Sequence, residues 1–350
     1  MKALTVQPGV ADSARLEALP EPIITENTLL VEGHAIGVCG TDREILEGRY
    51  GAAPPGESRL VLGHESLGRV LKAPQGSALE AGDWVVGIVR RPDPLPCPNC
   101  AVGEWDMCSN GFYTECGIKE RHGFCAERFS LEPAFAVKVP AKLAAVAVLI
   151  EPLSIVAKAW EQIDRIGARA YWTPSRVLVT GAGPIGLLAA LLGRQRGYDV
   201  RVLDRVQSGP KPELVRALGA TYHTGSLEEA CEELADIVLE CTGATALIVD
   251  ALSCNAPNGI VCLTGLSSGR HEQLINVGLL NRTLVLENDV VFGSVNANRR
   301  HYETAVAAML AADLNWLSGL ITRRVPLTEW QRALTRDDEH GVKTVIDIRT

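Results

Sequence analysis

The chain is 350 residues long, 47% hydrophobic and 22% charged, with a formal net charge of −8. That balance belongs to a globular protein of two domains at about 100–200 residues each, large enough to bury its cores without staples. It argues against a nucleic-acid partner, which needs a basic face. Apolar runs such as Leu143 to Ile150 are too short to span a bilayer. The N-terminus lacks the apolar core of a secretory signal, so the expected location is cytoplasmic, with no membrane partner.

The first ~150 residues carry short β-like runs, Leu29–Val31 and Trp84–Val89 among them, punctuated by Gly and Pro. This pattern predicts a partly open, barrel-like β domain. From Glu151 to about Arg165 the spacing turns helical. A buried strand at Arg176–Thr180, an apolar helix from Pro184 to Arg196, a strand at Asp199–Asp204 and a helix from Lys211 to Leu218 closed by Gly219 follow. Further strands are expected at Asp236–Glu240, Gly259–Leu263 and Val290–Phe292. Strands alternating with helices predict a doubly wound parallel sheet. The tail has a helix around Tyr302 to Ala312 and a β-like run, Thr344–Ile348, expected to return to the first domain.

Gly181-Ala-Gly183-Pro184-Ile185-Gly186 follows a strand and opens a helix, the context in which the glycine pattern reads as dinucleotide binding. Gly181 permits the tight turn, Gly183 lets backbone approach a pyrophosphate, and Gly186 lets helix and sheet pack closely. The helix N-terminus offers N–H groups and partial positive charge to phosphate. Asp204 stands 18 residues beyond Gly186, near the ~20 expected of a ribose-binding acid. A carboxylate there repels a 2′-phosphate and favours NAD, while Arg205 beside it leaves NADP open.

Cys39, in Gly37-Val-Cys39-Gly-Thr41-Asp42, and the segment Gly63-His64-Glu65 lie in the β domain. Cysteine, histidine and carboxylate suit zinc, and a catalytic zinc keeps three protein ligands and one open position. Together with the turn Gly82-Asp83-Trp84-Val85 and the later glycine motif, these residues resemble the zinc-containing medium-chain dehydrogenases along essentially the whole chain. The resemblance implies a GroES-like partly open β-barrel catalytic domain at 1–154 and 298–350, and a Rossmann dinucleotide-binding domain at 155–297. It implies Cys39 and His64 as zinc ligands, and Glu65 and Glu151 as further ligands or close neighbours of the ion. Thr41 resembles the hydroxyl that relays the substrate proton. Asp42 is either a partner behind a zinc-bound histidine or a simple turn residue.

Ten cysteines are present, and Cys97, Cys100 and Cys108 cluster as metal ligands do. They match three of the four cysteines of the family's structural-zinc loop. The first falls at Pro94, which cannot ligate, so Asp93 is the expected fourth ligand, against a metal-free loop. Cys125, Cys231, Cys241, Cys254 and Cys262 are expected mostly as small buried hydrophobes, and Cys116 is left open.

Arg90-Arg-Pro-Asp-Pro94, Tyr113-Thr-Glu115-Cys-Gly-Ile-Lys119 and Gly293-Ser-Val-Asn296 resemble the glucose 1-dehydrogenase branch. That likeness implies Glu115, Glu151 and Asn296 as sugar contacts, with Asn296 near the nicotinamide. The implied reaction oxidises an aldose, glucose or another, at C1 to its lactone, with hydride transfer to NAD(P). A polyol, secondary-alcohol or threonine dehydrogenase of the same family is the alternative, and a non-catalytic dinucleotide-binding protein is the alternative from another class. The resemblance also suggests a dimer or tetramer, with Val285 to Phe292 as a contact.

Overall fold

The computed structural model describes residues 1–267, 272–335 and 339–349. The chain divides into two compact units: Met1–Ser154 with Asn296–Asp337 and Lys343–Thr350, and Ile155–Val295 with Asp338–Val342. The return to the first unit begins at Asn296 rather than at 298, and the short segment ahead of the last strand counts with the second unit.

The first unit is built around the strand Leu29–Val38, which pairs antiparallel with Glu65–Lys72, Lys343–Asp347 and Arg128–Leu131. Its residues alternate between buried and half-buried at first, then become buried on both faces from Ala35 to Val38. Such alternation is what a sheet covered on one side, then on both, selects. Trp84–Gly87, Ala136–Val139 and Ile321–Pro326 extend this sheet to seven strands. Two three-stranded sheets flank it, one containing Arg90–Arg91 and Thr114–Cys116. The last strand, Lys343–Asp347, belongs to this sheet, so the chain terminus closes the first unit.

The second unit carries six parallel strands in the order Thr221–His223, Asp199–Leu203, Arg176–Thr180, Ala235–Glu240, Asn255–Leu263, Val290–Gly293. This is the strand order of the dinucleotide-binding fold, whose direction reverses beside the first strand. Val177, Leu178 and Val179 are at most 1% exposed, and burying each contributes roughly 1.5–3 kcal/mol. Two features depart from the sequence expectations. Cys231 and Cys254 form a disulfide instead of serving as two separate small hydrophobes. The helical stretch Ala141–Gly167 is long and apolar enough to cross a membrane, where short runs were expected, but 83% of its apolar window is buried inside the fold. Core packing accounts for its character.

Candidate active site

Two strands bring the first cluster together. Cys39 follows Leu29–Val38 and caps the helix Gly40–Leu46, where its backbone N–H donates to Asp42 Oδ2 at 2.8 Å. His64 precedes the strand Glu65–Lys72, and Glu65 stands directly opposite Gly37. A Cβ at Gly37 would overlap the Glu65 carboxylate, so glycine at 37 makes the room that Glu65 occupies. Gly63 holds φ at +89°, the left-handed turn that presents His64. Ligand atoms of Cys39, His64 and Glu65 all lie within 4.8 Å of one another. Thr41 Oγ1 is 3.9 Å from Cys39 Sγ. His64 Nδ1 faces Asp42 Oδ1 at 3.4 Å, which orients the ring and leaves the other nitrogen available.

Lys343, on the last strand, was not anticipated from the sequence. Its Nζ donates to both Glu65 oxygens at 2.6 and 2.7 Å and to the Val38 carbonyl at 3.1 Å. Glu65 is therefore paired with a buried ammonium as well as placed beside Cys39 and His64. Glu151 is buried too, though its carboxylate is not within the 4.8 Å group.

The electrostatics of this cluster fit a cation. Burial opposes a proton on His64, yet the Asp42 carboxylate and Cys39 outweigh it and hold the imidazole well above its usual range. Burial, reinforced by Glu65 against the opposing His64 charge, pushes the Glu151 carboxyl up to about 7. Against its burial, Asp42 is held ionised by His64, and with Cys39, Glu65 and Glu151 the group carries more acids than Lys343 alone balances, so it has room for a further positive charge. A zinc ion bound by a thiolate and an imidazole supplies it.

The cysteine lobe forms a second group: Cys97, Cys100 and Cys108 also lie within 4.8 Å of one another. Cys97 caps the short helix Pro98–Ala101, and the backbone N–H groups of Ser109 and Cys100 lower its thiol to about 6, so it is ready as a thiolate. Cys100 is pushed up to about 11, chiefly by burial. Asp93 stays outside this group, with Oδ1 accepting from the Leu95 N–H at 2.7 Å. Its Oδ2 is buried without a hydrogen-bond partner among the described residues. Three soft ligands and a nearby spare carboxylate oxygen fit a structural zinc.

A third group sits at the short strand pair. Glu115 is opposite Arg90, and its Oε1 accepts from Arg90 Nε and Nη2 at 3.1 and 3.0 Å and from Asn296 Nδ2 at 2.5 Å. Glu115 and Asn296, 181 positions apart, are thus in direct contact.

In the second unit, Gly181 turns at φ +91° between the strand Arg176–Thr180 and the helix Pro184–Gln195. A Cβ at Gly186 would overlap the Gly181 carbonyl oxygen, whereas one at Gly183 would meet nothing within 4 Å. The helix start, at Pro184 and Ile185, has no side-chain cap, leaving its N–H groups for an anion. Asp204 Oδ2 accepts from the Ala182 N–H at 2.7 Å and lies 3.5 Å from Lys211 Nζ. Asp204, Arg205 and Lys211 line a cleft of about 590 Å³ that begins at Gly181. Arg205 is 83% exposed there and faces Glu339. Lys211 was read only as the start of a helix. Its role shows only once the turn brings it back over Asp204. Buried Glu240 braces the floor, accepting from Thr180 Oγ1 at 3.2 Å and the Thr242 N–H at 2.8 Å.

Known proteins match this arrangement along the whole chain. Residues 144–348 match the family model of the glucose dehydrogenase C-terminus, and residues 25–141 that of the alcohol dehydrogenase GroES-like domain. The chain is 39% identical to a glucose 1-dehydrogenase of Methanocella arvoryzae over 99% of both chains. It is 41% identical to one of Thermoproteus tenax over 100% of both. The structure of Haloferax mediterranei glucose dehydrogenase in complex with NADP, Zn and gluconolactone matches with a TM-score of 0.91 at 33% identity, covering 100% of both chains. With its GroES-like and Rossmann units, the chain belongs to the zinc-dependent medium-chain dehydrogenases, in the glucose dehydrogenase family.

Proposed function

We propose that this protein is a zinc-dependent, NAD(P)-dependent aldose 1-dehydrogenase that oxidises D-glucose, or a close aldose, at C1 to the lactone. The observation that carries this reading is the coexistence, in one chain, of the Cys39–His64–Glu65 group and the linked Glu115–Asn296 pair. A neighbour in the same family, bound to NADP, Zn and gluconolactone, supports the substrate class.

Cys39 and His64 hold the catalytic zinc, with Glu65 or Glu151 able to complete its shell. When bound, zinc supplies a Lewis acid for the C1 hydroxyl, and the nicotinamide supplies the hydride acceptor. Thr41, beside Cys39, takes the hydroxyl proton outward. Asp42 fixes the His64 ring. Glu115, Glu151 and Asn296 receive sugar hydroxyls, whose several donors demand fixed, buried acceptors. Gly181, Gly183 and the uncapped helix start at Pro184, Ile185 and Gly186 hold the pyrophosphate. Asp204 and Lys211 receive the adenosine ribose. The Asp204 carboxylate favours NAD, and the cations Arg205 and Lys211 at the same rim admit NADP. Cys97, Cys100 and Cys108 hold the structural zinc, with Asp93 as the proposed fourth ligand.

The test follows NAD(P)H absorbance over D-glucose, D-galactose, D-xylose, sorbitol, threonine and simple alcohols, with and without a chelator, alongside metal analysis. Aldose turnover abolished by the chelator, with about two zinc ions per chain, is the expected result. Turnover confined to polyols, alcohols or threonine would overturn the sugar reading. One zinc per chain would remove it from the cysteine lobe.

We propose further that the protein is a homo-oligomer joined through the edge of the second unit's sheet. The helix Val277–Glu287 has no buried residue, and Val277, Leu279, Val285 and Leu286 are 60–66% exposed. Large apolar side chains this exposed, on the helix that leads into the edge strand Val290–Gly293, are what a subunit contact covers. Replacing Leu279 and Val285 by glutamate is expected to lower the mass seen by light scattering to that of a single 37.5 kDa chain. An unchanged mass would place the contact elsewhere.

A further inference from the structure

The geometry points to Arg90 as the positioning residue of the sugar pocket, the group that decides which oxygens Glu115 and Asn296 present to substrate. This rests on the proposed reading of Glu115 and Asn296 as sugar contacts. Arg90 is 5% exposed and Glu115 6%. The two stand directly opposite each other on Arg90–Arg91 and Thr114–Cys116. Both Nε and Nη2 reach the same oxygen, Glu115 Oε1, and Asn296 Nδ2 reaches it as well. Three donors occupy Oε1, so the second carboxylate oxygen is the one left to accept from a ligand hydroxyl.

The same arrangement fixes the amide. Asn296 Nδ2 is committed to Glu115, and its Oδ1 accepts from the Ala297 N–H at 2.8 Å. Its backbone holds φ at +64°, a left-handed conformation that asparagine tolerates. With nitrogen and oxygen so assigned, the pair presents the second Glu115 oxygen, the remaining Asn296 Oδ1 lone pair and one amide N–H in fixed directions to an incoming sugar. Arg90 is itself locked from the other sides. Its guanidinium carbon lies 3.6 Å from the centroid of the Tyr113 ring. Its Nη1 reaches the Asp106 carbonyl at 3.4 Å, in the segment between Cys100 and Cys108. The cysteine lobe therefore braces the residue that aims the sugar acceptors.

Lysine in place of Arg90 keeps the charge but loses the planar fork that places two donors on one oxygen. Glu115 is then free to rotate and Asn296 to flip, and a sugar hydroxyl meets acceptors that are no longer aimed. The test compares wild type, Glu115→Gln, Arg90→Lys and Arg90→Ala on D-glucose and its single-deoxy analogues. Zinc content, cofactor KM and melting temperature are measured in parallel.

Arg90→Lys is expected to raise the glucose KM about 10-fold or more, the scale of a misplaced buried hydrogen bond, with kcat falling far less. It should also flatten discrimination against the same deoxy analogue that Glu115→Gln flattens. Cofactor KM should stay within about twofold, since the cleft at Gly181, Asp204 and Lys211 that takes the adenosine side shares no residue with this network. Added guanidinium ion should restore sugar affinity to Arg90→Ala, which a merely structural deficit would not allow. A selective sugar defect in Glu115→Gln with wild-type sugar KM in both Arg90 variants overturns the role of Arg90. Equal losses in cofactor KM and melting temperature also overturn it, as a folding role. An unchanged sugar KM in Glu115→Gln overturns the reading of Glu115 itself.

Discussion

Replacing His64 with alanine is expected to remove one zinc per chain and to lower kcat/KM for glucose by at least about 10³-fold, some 4 kcal/mol of transition-state stabilisation. The size follows from the placement. His64 is 4% exposed and its ring nitrogen lies within 4.8 Å of the Cys39 and Glu65 ligand atoms, so its loss takes one donor out of the group. Asp42→Asn provides the graded control. It leaves the imidazole in place but weakens the carboxylate that faces Nδ1 at 3.4 Å. A supporting group of this kind costs about 10–100-fold in metal affinity or activity. Atomic absorption and steady-state kinetics on both variants check the order. Should His64→Ala keep its zinc, or fall no further than Asp42→Asn, the metal is held elsewhere and His64 is a core histidine.

Local features of the second unit were readable because each is dictated by neighbours in sequence. Gly181, Gly183 and Gly186 lie within six residues, and each answers to a separate local constraint: a positive φ, an open approach and a close carbonyl. The strand–helix alternation around them follows from periodicity. Short elements with little periodicity escaped, such as the strand Thr221–His223 and the helix Leu227–Ala230. The helix Val277–Glu287 escaped for another reason: with no buried residue it has no apolar stripe to read.

In the first unit, proximity was legible only through resemblance. Cys39 and His64 flank different strands, and nothing in their spacing pairs them. Glu65 and Lys343 are 278 positions apart, and Lys343 sits in a tail that read only as β-like. Glu115 and Asn296 are 181 apart, and the Arg90-Arg-Pro segment carries only a family likeness in the sequence, with no role for Arg90. Cys231 and Cys254, 23 apart, lie in no spacing that implies a bridge; the parallel pairing that sets Ala235 opposite Asn255 brings them together. Long-range register, not local chemistry, is what these contacts require, and a single sequence does not display register.

The largest expected loss of stability lies at one such long-range contact. Glu65 and Lys343 are 1% and 2% exposed, so the pair is shielded from bulk solvent. Lys343→Met removes the ammonium and leaves a buried carboxylate beside Cys39, Asp42 and Glu151, with every nearby acid adding to its cost. Breaking a buried pair from one side destabilises by about 3–5 kcal/mol, and the Val38 carbonyl loses a donor as well. The double variant Glu65→Leu with Lys343→Met should recover much of that loss, since apolar groups of similar volume replace a buried pair at little cost. Denaturant melts of the four proteins close a double-mutant cycle, and a coupling of about 3 kcal/mol is expected. The melts are run with zinc and after chelation, because Glu65 released from Lys343 is free to turn to the metal. If that happens, the holo variant is less destabilised than the chelated one, and Glu65 exchanges between lysine and metal. A loss below about 1 kcal/mol in both states would put Lys343 on the scale of a surface pair, and the buried closure of Glu65 by the last strand would have to be abandoned.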